Sequence, residues 1–310
     1  MARRFVALAL LATHCAALAV PRRLAAQRAA AGASAAAAAA LSPREAGAAT
    51  LSLRDTLAAR DAALLKKPFL SARPGPQAFP DWLEGTWRCE ASFRGYEFPS
   101  KTISKARVVA NTDLAGFTKL SVARFGDVGR ESTVYDVAFA RSGGRVYEDL
   151  SGNLRRSLAA HAGGDDGLVR SVDYDAGKNP NRVTVDLREG GRNGERIELF
   201  VNARRDEALG DDFFLNAESI RQMTLGGPTL QNPTQPRIVI SEYQHYYTWR
   251  RLGPDAVKCN VLTAVYVVPQ DNMFPEAFDL PVVVYAHDLR LARPGGASGG
   301  LPAAGAAAAA

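Results

Sequence analysis

Apolar and polar residues alternate along much of the chain between residues 85 and 293. In one stretch Trp87, Cys89, Ala91 and Phe93 fall on one side of a pleat, and charged residues and a serine fall on the other. A period of two residues is typical of β-strands that bury one face and leave the other in water. The pattern predicts ten strands, at residues 85–96, 104–110, 116–125, 131–141, 167–174, 181–188, 194–204, 236–251, 256–268 and 281–293.

Turn signals such as RSGGR, GKNPN and EGGRNGE separate many of these predicted strands, and most connections are short. Strands joined in this way form an up-and-down meander, and closure of the meander into a barrel removes its exposed edges. We therefore expect an all-β fold, an antiparallel up-and-down β-barrel of about 8–10 strands with one or two short helices.

Three segments depart from the alternation. Residues 149–162 (DLSGNLRRSLAAHA) have helical composition and are followed by two glycines, which is a signal for the end of a helix. Residues 212–223 read as a helix or as an irregular excursion. Residues 52–67 predict a further helix, with Ser52 as its N-cap.

The first 49 residues have the composition of a targeting leader. Arg3 and Arg4 precede a short apolar run and a small-residue cleavage site, and an Ala-rich stretch with arginines but no acid before Glu45 follows. The first part is typical of a signal peptide and the second of a transit peptide. This order resembles the bipartite presequence of plastids bounded by extra membranes. We expect a plastid (chloroplast) location with the thylakoid lumen as a further destination, and the alternative is a secreted protein with an Ala-rich spacer.

The sequence divides into four parts. They are the leader (1–49), a helix and linker (50–74), the barrel domain (75–293) and a disordered low-complexity tail (294–310). The net charge is +6, but residues 1–74 hold 11 Lys and Arg against 3 Asp and Glu, whereas residues 75–293 hold 27 against 29. Because the basic excess lies in the leader and linker, no nucleic-acid partner is expected.

A Gly-x-Trp step, Gly85 to Trp87, opens the first predicted strand. It resembles the signature of lipocalins and the wider calycin group, in which the tryptophan plugs the closed end of the barrel and a late arginine lies over the indole. The physical basis is a cation on an aromatic face. Arg293 shares the parity of the inward leucines on the last strand, and we prefer it to Arg290. The resemblance implies a barrel plug made of Gly85, Trp87 and Arg293.

A longer resemblance covers about residues 50–293. The segments FPDWLEGTW, GKNPNRVTVDLREGGR, ESIRQMTLGGP and TAVYVVPQDNMF, followed by PVVVYAHDLRLAR, resemble an uncharacterised lipocalin-like family of cyanobacterial and plastid proteins, a domain of unknown function. The resemblance implies a photosynthetic host and a calycin-type barrel. It brings no assigned catalytic residues.

Polar aromatic residues concentrate in EYQHYYTWRR and in the last strand. Tyr243, His245 and Tyr247 share one face of their strand, and Tyr285 and His287 share the inward parity of theirs. Inside a barrel these rings would offer apolar area and a few hydrogen-bond donors to a ligand such as a pigment, carotenoid or lipid. The alternative is an aromatic ladder on the outer face that holds strands together.

Few residues suit metal or covalent chemistry. Cys89 and Cys259 either form a bridge between an early and a late strand or stay as two buried thiols. The histidines are not spaced as ligand pairs, so neither a metal nor another cofactor is expected. No nucleophile elbow or phosphate-binding loop occurs, so no catalytic residue is assigned. An enzyme would need an acid or base in the lumen, and the candidates are His287, Asp288 and Tyr247.

Three functions fit this picture. The leading one is a plastid lipocalin-like protein that binds a small hydrophobic molecule. The second is a non-enzymatic structural or assembly factor whose partners are the thylakoid membrane or photosystem proteins. The third is an isomerase or carotenoid-modifying enzyme on the same barrel. The volume of the lumen separates the first from the second.

Overall fold

The structure is a computed structural model that describes residues 51–68, 74–117, 120–125, 128–129, 132–188, 196–226 and 237–295. The predicted leader and nearly all of the predicted tail lie outside the described residues. The helices are α1 (Leu53–Ala58), α2 (Lys105–Ala110) and α3 (Leu150–His161). The strands are β1 (Ala78–Phe79), β2 (Gly85–Glu97), β3 (Thr133–Ser142), β4 (Arg145–Glu148), β5 (Val169–Asp173), β6 (Arg182–Leu187), β7 (Arg196–Ala208), β8 (Phe213–Leu225), β9 (Ile238–Gly253), β10 (Ala256–Tyr266) and β11 (Val283–Ala292).

These strands form one antiparallel sheet in the order β1-β4-β3-β2-β11-β10-β9-β8-β7-β6-β5. The sheet curls strongly, and ring contacts between strands far apart in its order show this. The ring of Phe79 on β1 lies 6.0 Å from that of Phe214 on β8 and 6.1 Å from that of Trp249 on β9. Within the described residues the end strands β1 and β5 do not pair with each other. The all-β antiparallel prediction is confirmed at this level, and the fold is an eleven-stranded half-barrel.

Helix α3 covers the gap between the two ends of the sheet. Asp149 caps its first turn by accepting a hydrogen bond from the backbone N–H of Gly152 at 3.1 Å. Arg155 Nη1 donates to the Val169 carbonyl on β5 at 2.6 Å, and Arg156 Nε donates to the Asp136 carbonyl on β3 at 2.8 Å. The helix predicted at 149–162 is confirmed, and it ties together two strands that do not hydrogen-bond to each other.

Three predicted elements are wrong. Residues 105–110 form α2 instead of a strand, with Ser104 as N-cap, because a run of six residues is too short for alternation to separate a strand from a helix. The described residues of 116–125 form turns and bends. The segment expected to be a helix or excursion at 212–223 is strand β8, which is buried on both faces over most of its length and therefore shows no alternation.

Described residues between α2 and β3, at 111–117 and 120–125, lie on the concave face of the sheet, and we call them the crossing segment. Its residues Leu120, Val122 and Phe125 are each at most 2% exposed. Gln222 of β8 holds it, because its side-chain oxygen accepts from Ala123 N at 3.1 Å and its amide donates to the Leu120 carbonyl at 2.9 Å. The protein's own chain therefore fills much of the lumen.

Helix α1 lies against the convex face, where a second apolar cluster forms. Leu53 and Leu65 pack there with Tyr246 of β9 and Tyr266 of β10. Tyr266 Oη also donates to the Leu65 carbonyl at 2.8 Å. Ser52 is the N-cap of α1, but the helix is one and a half turns long and much shorter than the predicted 52–67.

Candidate functional site

The Gly-x-Trp step lies at the start of β2, beside the end of β11. Gly85 has φ +109°, and a Cβ at this position would lie 2.1 Å from Arg293 Nη1. Trp87 is fully buried, and its Nε1 donates to the Leu83 carbonyl at 2.8 Å. The Arg293 guanidinium lies 3.8 Å from the centroid of the indole and donates to the Glu84 carbonyl at 2.6 Å. Arg293 thus lies against both of the other predicted plug residues, with its guanidinium over the aromatic face of Trp87.

The predicted ligand residues all lie on the concave side of the sheet, and His245, Tyr285 and His287 contact the crossing segment. Phe125 stacks on His287, with ring centroids 4.5 Å apart, and meets His245 edge-on at 5.2 Å. Tyr285 Oη donates to the Ala115 carbonyl at 3.0 Å. The concave set is Tyr243, His245, Tyr247, Tyr285 and His287.

A cavity of about 60 Å³ remains in the lumen. Phe125, Phe139 and Trp249 give it aromatic walls, and Arg124 and Tyr247 add polar groups. Of the five predicted ligand residues, Tyr247 is the one that lines it. Pockets for drug-sized ligands have volumes of about 300–1,000 Å³, so this cavity suits a far more compact molecule.

Largely buried ion pairs lie along one side of the cavity, which Arg124, Glu148 and Glu218 line and Arg204 supports through its contact with Glu218. Arg124 Nη1 lies 2.8 Å from Glu148 Oε1, and Arg124 Nη2 lies 3.4 Å from Glu218 Oε2. Arg204 Nε lies 2.8 Å from Glu218 Oε1. The sequence did not predict this cluster, because Arg124 and Glu218 both lie in segments whose structure differs from the predicted one.

The ionisation of these groups follows from burial and charge. Burial raises the pKa of Glu218, but the nearby Arg124 and Arg204 outweigh burial, so the pKa lies below its ordinary value. Burial raises the pKa of Tyr247 well above its ordinary value, and the side chain stays a neutral phenol. Burial likewise lowers the pKa of His245 well below its ordinary value, so this ring is neutral at pH 7.

Several buried polar atoms on the concave side have no hydrogen-bond partner within the described part of the chain. They are Tyr247 Oη, His245 Nε2 and His287 Nδ1. Nearly all buried polar groups in folded proteins are hydrogen-bonded, so each exception needs an explanation. Of these three residues, Tyr247 is the one that lines the cavity.

Cys89 and Cys259 are free, buried thiols. Cys89 on β2 is paired with Leu291, and Cys259 on β10 is paired with Leu289, so strand β11 lies between them. The backbones of β2 and β10 are therefore about 9–10 Å apart, which is twice the spacing of neighbouring strands. A disulfide needs Cα atoms closer than about 7 Å, so the predicted bridge cannot form. The alternative prediction of two buried free thiols describes the structure. Burial raises the pKa of Cys89 to about 12, which keeps this thiol unreactive.

The three candidates for acid–base chemistry are not together. Asp288 lies on the opposite face of β11 from His287, and its carboxylate accepts from Arg94 Nε at 2.9 Å. Tyr247 and His287 pair with the same residue, Val261, from opposite sides. The lumen therefore holds the tyrosine and the histidine without the predicted acid.

Neither a metal site nor a membrane-spanning helix emerges from the part of the chain that the structure describes. No three His, Cys, Asp or Glu side chains there converge closely enough to hold a metal ion. No helix there combines the length and the apolar character needed to cross a membrane.

The fold and the site together define a class of protein. Its members are antiparallel half-barrels that have an internal crossing segment and a small, partly polar cavity. Residues 72–295 match a family described as a domain of unknown function, DUF6816. The match covers more than half of the chain, and the protein belongs to this family. No curated protein and no solved structure matches the chain. Membership in a family of unknown function is confirmed, whereas the lipocalin-like character and the plastid origin stay predictions.

The buried histidines predict that stability falls as the solution becomes acidic. Burial, and then the charge of His161, lowers the pKa of His287 to about 4, from about 6.5 in an unfolded chain. Between these values the unfolded chain binds a proton that the folded protein does not. The contribution of His287 to the free energy of unfolding is therefore fully present above pH 6.5. It decreases as pH falls toward 4, by about 3 kcal/mol in total.

Urea unfolding at pH 7, 6 and 5 measures this decrease. His287→Gln removes one of the titrating groups, so its free energy of unfolding should depend less steeply on pH than that of the native chain. Equal slopes for the two proteins would show that His287 is solvated in the folded state.

Proposed function

We propose that this protein binds a small, mostly hydrophobic molecule inside the half-barrel. The observation that carries the proposal is the cavity itself, which combines aromatic walls with Tyr247 Oη, a buried hydroxyl that has no partner among the described residues. Apolar walls with a few placed polar groups are typical of ligand sites. In the present conformation the site suits a compact ligand, and a carotenoid or acyl chain would also require the crossing segment to withdraw.

Strand β3 offers a matched pair of variants to test binding. Val137 lines the cavity, whereas Val134 on the opposite face of the strand is 44% exposed. For a ligand with micromolar affinity, about −8 kcal/mol, Val137→Phe should weaken binding at least tenfold by filling the cavity. Val134→Phe should leave it unchanged.

The measurement is a titration of the purified protein with retinoids, carotenoids, chlorophyll derivatives, fatty acids and compact ring compounds, followed by tryptophan fluorescence. Mass spectrometry of lipids and pigments extracted from the natively purified protein identifies a ligand that co-purifies. If no compound binds at tens of micromolar, or if both phenylalanine variants weaken binding equally, the binding proposal fails.

A second candidate is a structural or assembly factor whose lumen is packed by its own chain. The crossing segment favours it, because Leu120 and Ala123 are fully buried where a ligand would otherwise lie. Such a protein would act through its outer surface, with the thylakoid membrane or photosystem proteins as partners. It predicts a folded, stable protein that binds none of the compounds and that co-purifies with other chains.

We further propose that the leader directs the protein into a plastid, with the thylakoid lumen as a further destination. The Arg- and Ala-rich composition of residues 1–49, with one acid at Glu45, supports this. A fluorescent reporter fused behind residues 1–75 should accumulate inside the plastid. A reporter fused behind residues 1–20 alone should instead be secreted, and secretion of both would contradict the proposal.

A further inference from the structure

The charged wall of the cavity is electrically balanced. Arg124, Glu148 and Glu218 line the cavity, and Arg204 pairs with Glu218 from outside the lining, so two guanidinium groups neutralise two carboxylates through contacts of 2.8–3.4 Å. Arg204 and Glu218 have side chains that are only 7% and 5% exposed. An added charge in this region would lack a counter-ion, and an unpaired buried charge costs several kcal/mol. The balance favours an uncharged occupant over a carboxylate or an amine.

The hydrogen-bonding groups around the cavity are mostly engaged with one another. Trp249 Nε1 donates to Asn216 Oδ1 at 2.8 Å, and Ser157 Oγ donates to the Arg124 carbonyl at 2.8 Å. Among the described residues that line the cavity, Tyr247 Oη is the buried side-chain oxygen without a partner. A phenol oxygen can also accept, but the O–H of a neutral phenol always needs an acceptor, and a carbonyl oxygen is one.

The size and walls of the cavity limit the rest of the molecule. A water-sized group needs about 10–15 Å³ of such space, so about 60 Å³ accommodates roughly four to six of them. The ring of Trp249 stacks on that of Tyr247 at 5.9 Å, and Phe139 meets Trp249 edge-on at 6.1 Å. Flat aromatic walls of this kind suit a single small ring.

On the basis of the proposed binding function, we infer that the cavity takes an uncharged, ring-sized carbonyl compound whose oxygen accepts a hydrogen bond from Tyr247 Oη. The balanced ion pairs exclude charged analogues of the same size. The aromatic walls hold the ring, and the tyrosine selects the carbonyl over a purely apolar ring.

Three probes of similar size separate these contributions. Cyclopentanone is the neutral carbonyl, methylenecyclopentane replaces the oxygen by a CH₂ group, and cyclobutanecarboxylate carries a negative charge. Ligand-observed NMR on the full chain gives their dissociation constants. We expect cyclopentanone to bind at least tenfold more tightly than either of the other two.

Two variants act on different parts of the inference. Tyr247→Phe removes the hydroxyl and should abolish the preference for cyclopentanone over methylenecyclopentane. Glu148→Gln leaves the wall with one excess positive charge and should strengthen binding of cyclobutanecarboxylate at least tenfold. Glu148 is the milder of the two acids to change, because Arg124 keeps its contact with Glu218.

The outcomes distinguish the inference from the proposed function. If native protein binds none of the three probes and none of the larger compounds above, the binding function itself fails. If it binds the carboxylate or the methylene compound as tightly as cyclopentanone, the binding function stands and the carbonyl inference is overturned. An unchanged preference in folded Tyr247→Phe also overturns it.

Discussion

Replacing Trp87 by alanine is expected to lower the free energy of unfolding by about 3–5 kcal/mol. The indole is fully buried in the main core cluster. Its removal leaves a cavity, breaks the hydrogen bond to the Leu83 carbonyl and leaves the Arg293 guanidinium without its aromatic face. Chemical denaturation followed by circular dichroism measures the change.

Two control variants separate these causes. Arg293→Met keeps the side-chain volume and removes the cation, so we expect a smaller cost of about 2 kcal/mol, the value of a desolvated cation–π contact. Trp82→Ala removes an indole that is only partly buried, and it should cost less than Trp87→Ala. Equal stabilities for Trp87→Ala and the native chain would mean that the indole is not buried in the core of the folded protein.

The long strands that expose one face to solvent were predictable from sequence. The alternation of apolar and polar residues alone shows which side chains of such a strand face the core. In β2, Trp87, Cys89 and Ala91 point inward as expected, and in β11 Tyr285 and Leu289 do so. The same argument placed Arg293 on the side of Trp87. One register decides all of these positions at once, since a slip of one residue would bring every polar neighbour inside.

The crossing segment and β8 were not predictable in this way. Residues such as Leu120 and Val122 are buried by contact with distant strands, and their local alternation resembles that of a strand. Strand β8 places Asn216 and Glu218 on the concave face and Ala217 on the convex face, in the second apolar cluster. Both faces are buried, so the sequence of this strand shows no alternation. The polar cavity depends on both of these elements, which explains why the sequence pointed to the aromatic residues and missed the ion pairs.

Helix α3 shows how local and distant signals combine. The capping residue Asp149 before the helix and the two glycines after it are local sequence signals. The helix was therefore predicted within one residue at each end. Its location between β3 and β5 depends on hydrogen bonds from Arg155 and Arg156 to strands that lie far apart along the sheet. Sequence alone gave no reason to place a helix across the gap where a closed barrel would pair its end strands.

Replacing Glu218 by glutamine should cost about 3–5 kcal/mol, because it leaves Arg124 and Arg204 with a single carboxylate partner in a buried site. Asp186→Asn makes the same chemical change in an exposed pair, where Arg196 and Asp186 are 49% and 32% exposed. That change should cost less than about 1 kcal/mol.

The double variant Glu218→Gln/Arg204→Met tests whether the cost of Glu218→Gln arises from unbalanced charge. Removing Arg204 together with Glu218 leaves Arg124 paired with Glu148, so the wall is neutral again. We therefore expect the double variant to lose less stability than the sum of the two single variants, with an interaction energy of about 1–3 kcal/mol. Strict additivity, or a cost of Glu218→Gln no larger than that of Asp186→Asn, would show that water already screens these groups. A screened, hydrated wall would accept a charged ligand as readily as a neutral one, so the same measurement bears on which molecules the lumen can hold.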